Sequence, residues 1–233
     1  MTEEIESPDG EVSQSPLPSL PRRLGMVVLS PIALFEHLKQ DPRIVGPLIL
    51  GAVLVGVGAA VIPVEAWEEM LREQMLDAGQ DLGDGFTMAA RVSWVFSIFG
   101  PLVFWPLMAV ITAGLYGAVF LFGFGYEGSY RKLLSVTAHA LLVAALGMLL
   151  LGPVRAMTGD PSLTLSVGSL LFFFEEGYLA RLLGLLDLFN LWVYILIGAG
   201  AAVVDGTRSR TEGAVVAVAA AMLISAVIAA FTG

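Results

Sequence analysis

The sequence predicts an all-α fold, a polytopic membrane helical bundle of five transmembrane helices plus short interfacial helices. Three observations predict it. Hydrophobic residues make up 57% of the 233 positions and charged residues only 14%, with a mean hydropathy of +0.82, against roughly 45–50% and about 25% in soluble domains. The excess is gathered into five runs near the roughly 20 residues a helix needs to cross a bilayer. Within three of those runs small residues recur every fourth position, the spacing that lets helix backbones approach where lipid supplies no hydrophobic drive.

Residues 1–21 mix Glu3, Glu4, Glu6, Asp9 and Glu11 with Ser and Pro. They bury too little apolar surface to offset ordering entropy and are expected to form a disordered acidic cytoplasmic tail. The start is acidic and the first spanning run begins only near Ile44, so no secretory signal is expected. Ser30-Pro31 suits a helix start. From there Leu34, Phe35 and Leu38 fall on one face and Glu36, Lys39 and Gln40 on the other. Two placements fit that pattern, a helix lying on the membrane surface and a cytoplasmic helix packed on the bundle.

The spans are expected at about 44–64, 97–122, 133–154, 182–204 and 214–231. Small-residue stripes run through Ala52, Gly56 and Ala60, through Ala109, Ala113 and Gly117, and through Ala217, Ala221, Ser225 and Ala229. Gly56, Ala113, Gly117 and Ala221 are therefore candidate helix-packing positions. Between spans one and two, Trp67, Met70, Leu71, Gln74 and Ala78 share a helical face, with Glu68 and Arg72 spaced to pair at i,i+4. Between spans three and four, Leu163 to Phe174 is apolar but too short to cross, which suits a re-entrant or interfacial piece ended by Glu175 and Glu176.

Basic residues set the orientation. With the N-terminus cytoplasmic, that side collects Arg22, Arg23, Lys39, Arg43, Arg131, Lys132, Arg208 and Arg210, and the outer side only Arg72, Arg91, Arg155 and Arg181. The odd number of spans then places the C-terminus outside.

Chemistry is sparse. Without cysteine there is no disulfide, thiolate site or cysteine nucleophile, and a net charge of -9 argues against nucleic acid. G-x-S-x-G, H-E-x-x-H and G-x-x-x-x-G-K-[ST] are absent, so no catalytic residue, cofactor or metal site is assigned. The acidic stretch from Glu65 to Asp84 lacks EF-hand spacing and reads as a solvated face. The ionisable residues at membrane depth are His139 and Asp187, the natural suspects for transport or proton relay. The structural alternatives are a neutral imidazole bonded to a neighbouring helix, and a carboxylate at a helix start, bonded to Tyr178 or Arg181. Tyr126, Tyr130, Arg131 and Lys132 form a candidate cytoplasmic contact surface.

Three stretches together resemble the Yip-domain family of five-span proteins. They are Ser30-Pro31-Ile32-Ala33-Leu34-Phe35 leading through Pro42 to Gly46-Pro47-Leu48, then Glu127-Gly128-Ser129-Tyr130-Arg131-Lys132-Leu133-Leu134-Ser135-Val136 into Ala138-His139-Ala140, and Leu186-Asp187-Leu188-Phe189-Asn190-Leu191-Trp192. The resemblance implies a five-span membrane domain over residues 22–233 and marks Asp187 and Trp192 as fold positions. In eukaryotes the family works in Golgi and endoplasmic-reticulum traffic through small GTPases. Here the N-terminal region is short and the family's Asp-Leu-Tyr-Gly-Pro motif is missing, which leaves small GTPase binding doubtful. The departures resemble the prokaryotic branch and imply a cytoplasmic (inner) membrane. The expected function is a non-catalytic protein that organises membrane or partner proteins, the partners being the lipid bilayer and other membrane proteins or a second copy of itself. The alternative is a small transporter or channel that uses His139 and Asp187.

Overall fold

The computed structural model describes residues 17–171 and 177–231. Most of the acidic tail, the end of the apolar piece at 172–174 with Glu175 and Glu176, and the last two residues lie outside the described residues. Eleven helices are described in the order α1 (Leu20–Leu29), α2 (Pro31–Gln40), α3 (Val45–Ala60), α4 (Val64–Asp77), α5 (Phe86–Phe99), α6 (Pro101–Phe124), α7 (Tyr130–Thr158), α8 (Val167–Leu170), α9 (Tyr178–Leu185), α10 (Leu188–Asp205) and α11 (Arg210–Phe231).

Four of them, α6, α7, α10 and α11, are each long and apolar enough to cross a bilayer. The fifth crossing rests on α3. Its 16 residues rise only about 24 Å at 1.5 Å per residue, short of the roughly 30 Å hydrocarbon core. Yet α3 lies parallel to α7 along its length. At one end the Ser135 hydroxyl donates to the Arg43 carbonyl at 2.7 Å, and at the other a β-carbon on Gly152 would stand 2.6 Å from the Gly58 carbonyl oxygen. The chain then turns by 85° into α4.

Helix α7 is the centre of the bundle, with α10 beside it, while α6 and α11 present most of their surface outward. That division explains the composition. Exposed Leu, Val, Ile and Phe cover α6 and α11, a surface stable only where lipid is the solvent. Tyr116 ties these outer helices together by donating to the Ala217 carbonyl at 3.2 Å. At the start of α11, Ser209 and Glu212 form a reciprocal capping box.

Several local expectations are corrected. The crossing expected from Leu182 begins at Leu188, because residues 178–185 form the separate helix α9 and the strand-like Leu186–Asp187 segment pairs with Ser166. The stretch expected to cross from Ser97 is divided between the end of α5 and α6 at Gly100, which keeps helical dihedrals of φ -53 and ψ -37 before Pro101. Helix α1 starts inside the stretch read as tail. Helix α2 is packed on the bundle: Leu34, Phe35 and Leu38 are fully buried, with Phe35 seated over Gly200 of α10 beside Val136 of α7. Arg72 pairs with Glu69 at 3.4 Å rather than with Glu68, and Glu68 faces Arg91 of α5 at 3.6 Å, because α4 packs on α5.

Candidate functional site

At the end of the bundle capped by α1 and α2, one polar cluster reaches into the core. On α1, Arg23 and Val27 are one turn apart and both buried, so the face that seeks apolar surface carries a guanidinium inward with it. Its Nη1 donates to His139 Nε2 at 3.0 Å, and His139 Nδ1 meets the Ser135 carbonyl, one turn back on α7, at 2.8 Å. A carbonyl only accepts, so Nδ1 carries the ring proton and Nε2 is left as the acceptor for arginine, the neutral tautomer. His139 is fully buried. Arg23 is 8% exposed, and its Nε has no hydrogen-bond partner among the described residues. Burial pushes the Arg23 guanidinium below its usual range, Arg43 adds in the same sense and Asp41 opposes. Arg43 itself is held by Asp41 at 2.8 Å on the exposed rim. The cluster joins α1, α7 and the start of α3. Sequence reasoning counted Arg23 as a topology charge and missed it. The signal was its spacing from Val27.

The four residues of the candidate contact surface divide. Tyr126 turns inward, its ring packed over Gly128 and its hydroxyl buried without a hydrogen-bond partner among the described residues. Burial pushes that hydroxyl up to about 12, with Asp205 adding to the effect. Tyr130, Arg131 and Lys132 begin α7 at the surface, where the Tyr130 hydroxyl donates to the Val110 carbonyl at 3.0 Å. The turn that carries them is fixed from the neighbouring loop. Asp205 accepts from the Glu127 amide at 2.9 Å and from the Thr207 hydroxyl, while Arg208 donates to the Phe124 carbonyl and stacks over its ring at 5.1 Å. Gly125, at φ 63, permits the left-handed exit from α6.

At the opposite, open end Asp187 is the N-cap of α10, its Oδ1 accepting the Asn190 amide at 2.9 Å. Neither expected partner bonds it. Tyr178 and Arg181 reach across to α11 and donate to the carbonyls of Ala226 and Ala229, both at 3.2 Å, supplying donors to the final turns of that helix. Beside Asp187 lies a cleft of about 290 Å³ between α6, α7 and α10. Trp105, Met108 and Thr112 line it from α6, and Leu141, Gly147, Met148, Leu151 and Arg155 from α7. Asp187, Phe189, Asn190, Val193 and Tyr194 close it from α10, with Thr164 at its mouth. His139 is not part of this lining. Arg155, counted in the sequence only as an outer charge, donates its Nε to the Leu163 carbonyl at 2.9 Å. Among the described residues, no group of three or more His, Asp or Glu side chains is placed to hold a metal ion.

The packing positions are set by backbone approach. A β-carbon on Gly56 would stand 2.5 Å from the Ile98 carbonyl oxygen and one on Gly58 would stand 2.8 Å from that of Met148. Gly198 and Gly213 meet so closely that neither could carry a side chain without moving α10 from α11. Ala113 and Ala221 are buried, and Gly117 meets Leu133 in ordinary contact at 3.4 Å. Gly213 extends the Ala217–Ala221–Ala229 stripe by one more step of four.

The Yip1 domain model matches residues 25–231 of this chain. Membrane protein YknW of Bacillus subtilis (strain 168) is 26% identical over 212 residues, covering 86% of this chain and 83% of that protein. No solved structure matches.

Proposed function

The chain belongs to the Yip1 domain family, and from that premise we propose that this multi-pass membrane protein is non-catalytic and organises membrane or partner proteins. The observation that carries the reading is what the His139 and Asp187 side chains do. His139 is held between Arg23 and the Ser135 carbonyl, and Asp187 caps α10 through Asn190. Both are engaged in helix placement, and the cleft that Asp187 lines does not include His139. A proton relay joining the two would need a continuous polar path.

The capped end is the cytoplasmic face in this reading, with the N-terminus inside, the C-terminus outside and the cytoplasmic (inner) membrane as the location. That end carries Arg22, Lys39, Arg43, Arg131, Lys132, Arg208 and Arg210, the bias expected of a cytoplasmic side. Tyr130, Arg131 and Lys132, together with Arg208, form the surface offered to another membrane protein or to a second copy.

The test is reconstitution of the parent and of Asp187→Asn and His139→Gln into sealed vesicles, with proton and ion flux measured. Asparagine keeps the cap but cannot ionise, so all three are expected to be silent. A parent that conducts, and folded variants that do not, would replace this reading with the transporter.

A further inference from the structure

We propose that the cleft between α6, α7 and α10 binds one phospholipid of the zwitterionic, primary-amine class, its phosphate on Arg155 and its ammonium on Asp187. The site goes beyond the organising role and does not depend on it.

Two charges of opposite sign share one end of the cleft. Arg155 has its Nε engaged by Leu163, while among the described residues its two terminal nitrogens, the donors an anion would use, have no hydrogen-bond partner. Asp187 has Oδ1 engaged by the Asn190 amide, which leaves Oδ2 as an acceptor. Both side chains line the same cleft, yet the ion pairs among the described residues do not include them. A headgroup that carries both a phosphate and an ammonium offers a partner to each of these two charges on the cleft wall. A net anionic headgroup would meet the Asp187 carboxylate. A trimethylated ammonium has no N–H to donate to Oδ2.

The rest of the cleft is suited to the hydrocarbon part. Below the charged end the walls are largely apolar, with Leu141, Met148, Leu151 and Val193 among them. Trp105, Met108 and Met148 also line an adjoining, more open apolar hollow of about 270 Å³ together with Phe96 and Phe104. An acyl chain anchored at Arg155 therefore has a continuous apolar track from the cleft toward the exposed face of α5 and α6. A soluble polar solute would gain nothing from that track.

The full chain, purified in a neutral detergent, is titrated with phosphatidylethanolamine, phosphatidylcholine or phosphatidylglycerol carrying brominated acyl chains, and tryptophan quenching is followed. Saturable quenching is expected, with the ethanolamine lipid bound about tenfold more tightly than the other two, the worth of one charge-assisted hydrogen bond. Trp105→Phe should remove the saturable component. Asp187→Asn should bring the ethanolamine and choline lipids to equal affinity, because only the ammonium contact is lost. Arg155→Gln should weaken both about tenfold, because both carry the phosphate, and Arg155→Lys should restore them. Equal affinity for all three lipids in the parent would overturn the proposal. So would unchanged binding in a folded Asp187→Asn chain, a variant that keeps the helix cap and so stays informative if Arg155→Gln does not fold.

Discussion

Arg23 and His139 make the sharpest quantitative test of how the N-terminal hairpin is held. The guanidinium is 8% exposed, its Nε already lacks a partner among the described residues, and its Nη1 relies on His139 at 3.0 Å. His139→Leu fills the space but removes the acceptor. Leaving a buried charge uncompensated costs about 3 kcal/mol. Arg23→Met keeps the unbranched stem that packs beside Val27 and leaves only a neutral imidazole nitrogen unpaired, a loss of about 1–2 kcal/mol. When both are replaced, no polar end remains unmatched and the expected cost is about 1 kcal/mol or less. The double variant should thus be roughly 3 kcal/mol more stable than the sum of the singles requires. The assay is unfolding of the purified chain by sodium dodecyl sulfate titrated into mild-detergent micelles, followed by circular dichroism. A double variant destabilised by the full sum would refute the contact. In the same samples His139→Leu should speed tryptic cleavage at Arg22 and Arg23, since a guanidinium without its acceptor draws α1 toward water.

Three further outcomes are expected. Gly58→Leu and Gly198→Leu should each lower stability by at least about 1–3 kcal/mol in the same unfolding assay, because the added atoms meet backbone of α7 and α11, while Gly114→Leu, at a glycine with nothing near it, should melt like the parent. Ser209→Cys should be shielded from an impermeant thiol reagent in intact cells and Ser162→Cys should label. The opposite pattern would invert the proposed orientation. Tyr126→Phe should remove an alkaline loss of stability. The folded-state value of about 12 lies above the ordinary 10.0, so between those values the unfolded chain ionises while the folded chain does not, and stability falls as pH rises. Equal alkaline slopes in parent and variant would show that Tyr126 does not carry the effect.

What the sequence made legible is what depends on composition and local period. Long apolar runs locate the crossing helices because lipid solvation demands them at that length, and Ser30-Pro31 locates the start of α2. What it hid depends on partners distant in the chain. The leucines from 182 to 186 read as part of one helix, and the break before Leu188 arises because that segment pairs with residues 165–167, where Leu188 donates to the Leu165 carbonyl at 2.9 Å. Glu68 and Arg72 have helical spacing, but the packing of α4 on α5 gives Glu68 another arginine. The stripe through Ala52, Gly56 and Ala60 identified a packed face, yet Ala60 is exposed, and Gly58 on an adjacent face makes the close contact with α7. Of the candidate site, Asp187 was visible as an ionisable residue near a helix start. Arg155 was not, because only the fold brings the end of α7 beside the start of α10.

That same long-range arrangement explains why a cleft persists in a bundle otherwise closed by small residues. Two large aromatic rings border it, and each is drawn against a glycine of a neighbouring helix. Trp105 of α6 lies so close to Gly51 of α3 that a β-carbon there would collide with the indole. Phe189 of α10 covers Gly147 of α7, where a β-carbon would stand 2.5 Å from the ring. Neither glycine is needed for backbone conformation, since neither has a positive φ. Their role is to supply recesses. With both rings seated in those recesses the aromatic bulk becomes wall, and the space between α6, α7 and α10 stays open beside Arg155 and Asp187. A methyl group at either glycine would displace a ring that lines the cleft, so the glycines that tighten the bundle elsewhere set, at these two positions, the shape of its wall.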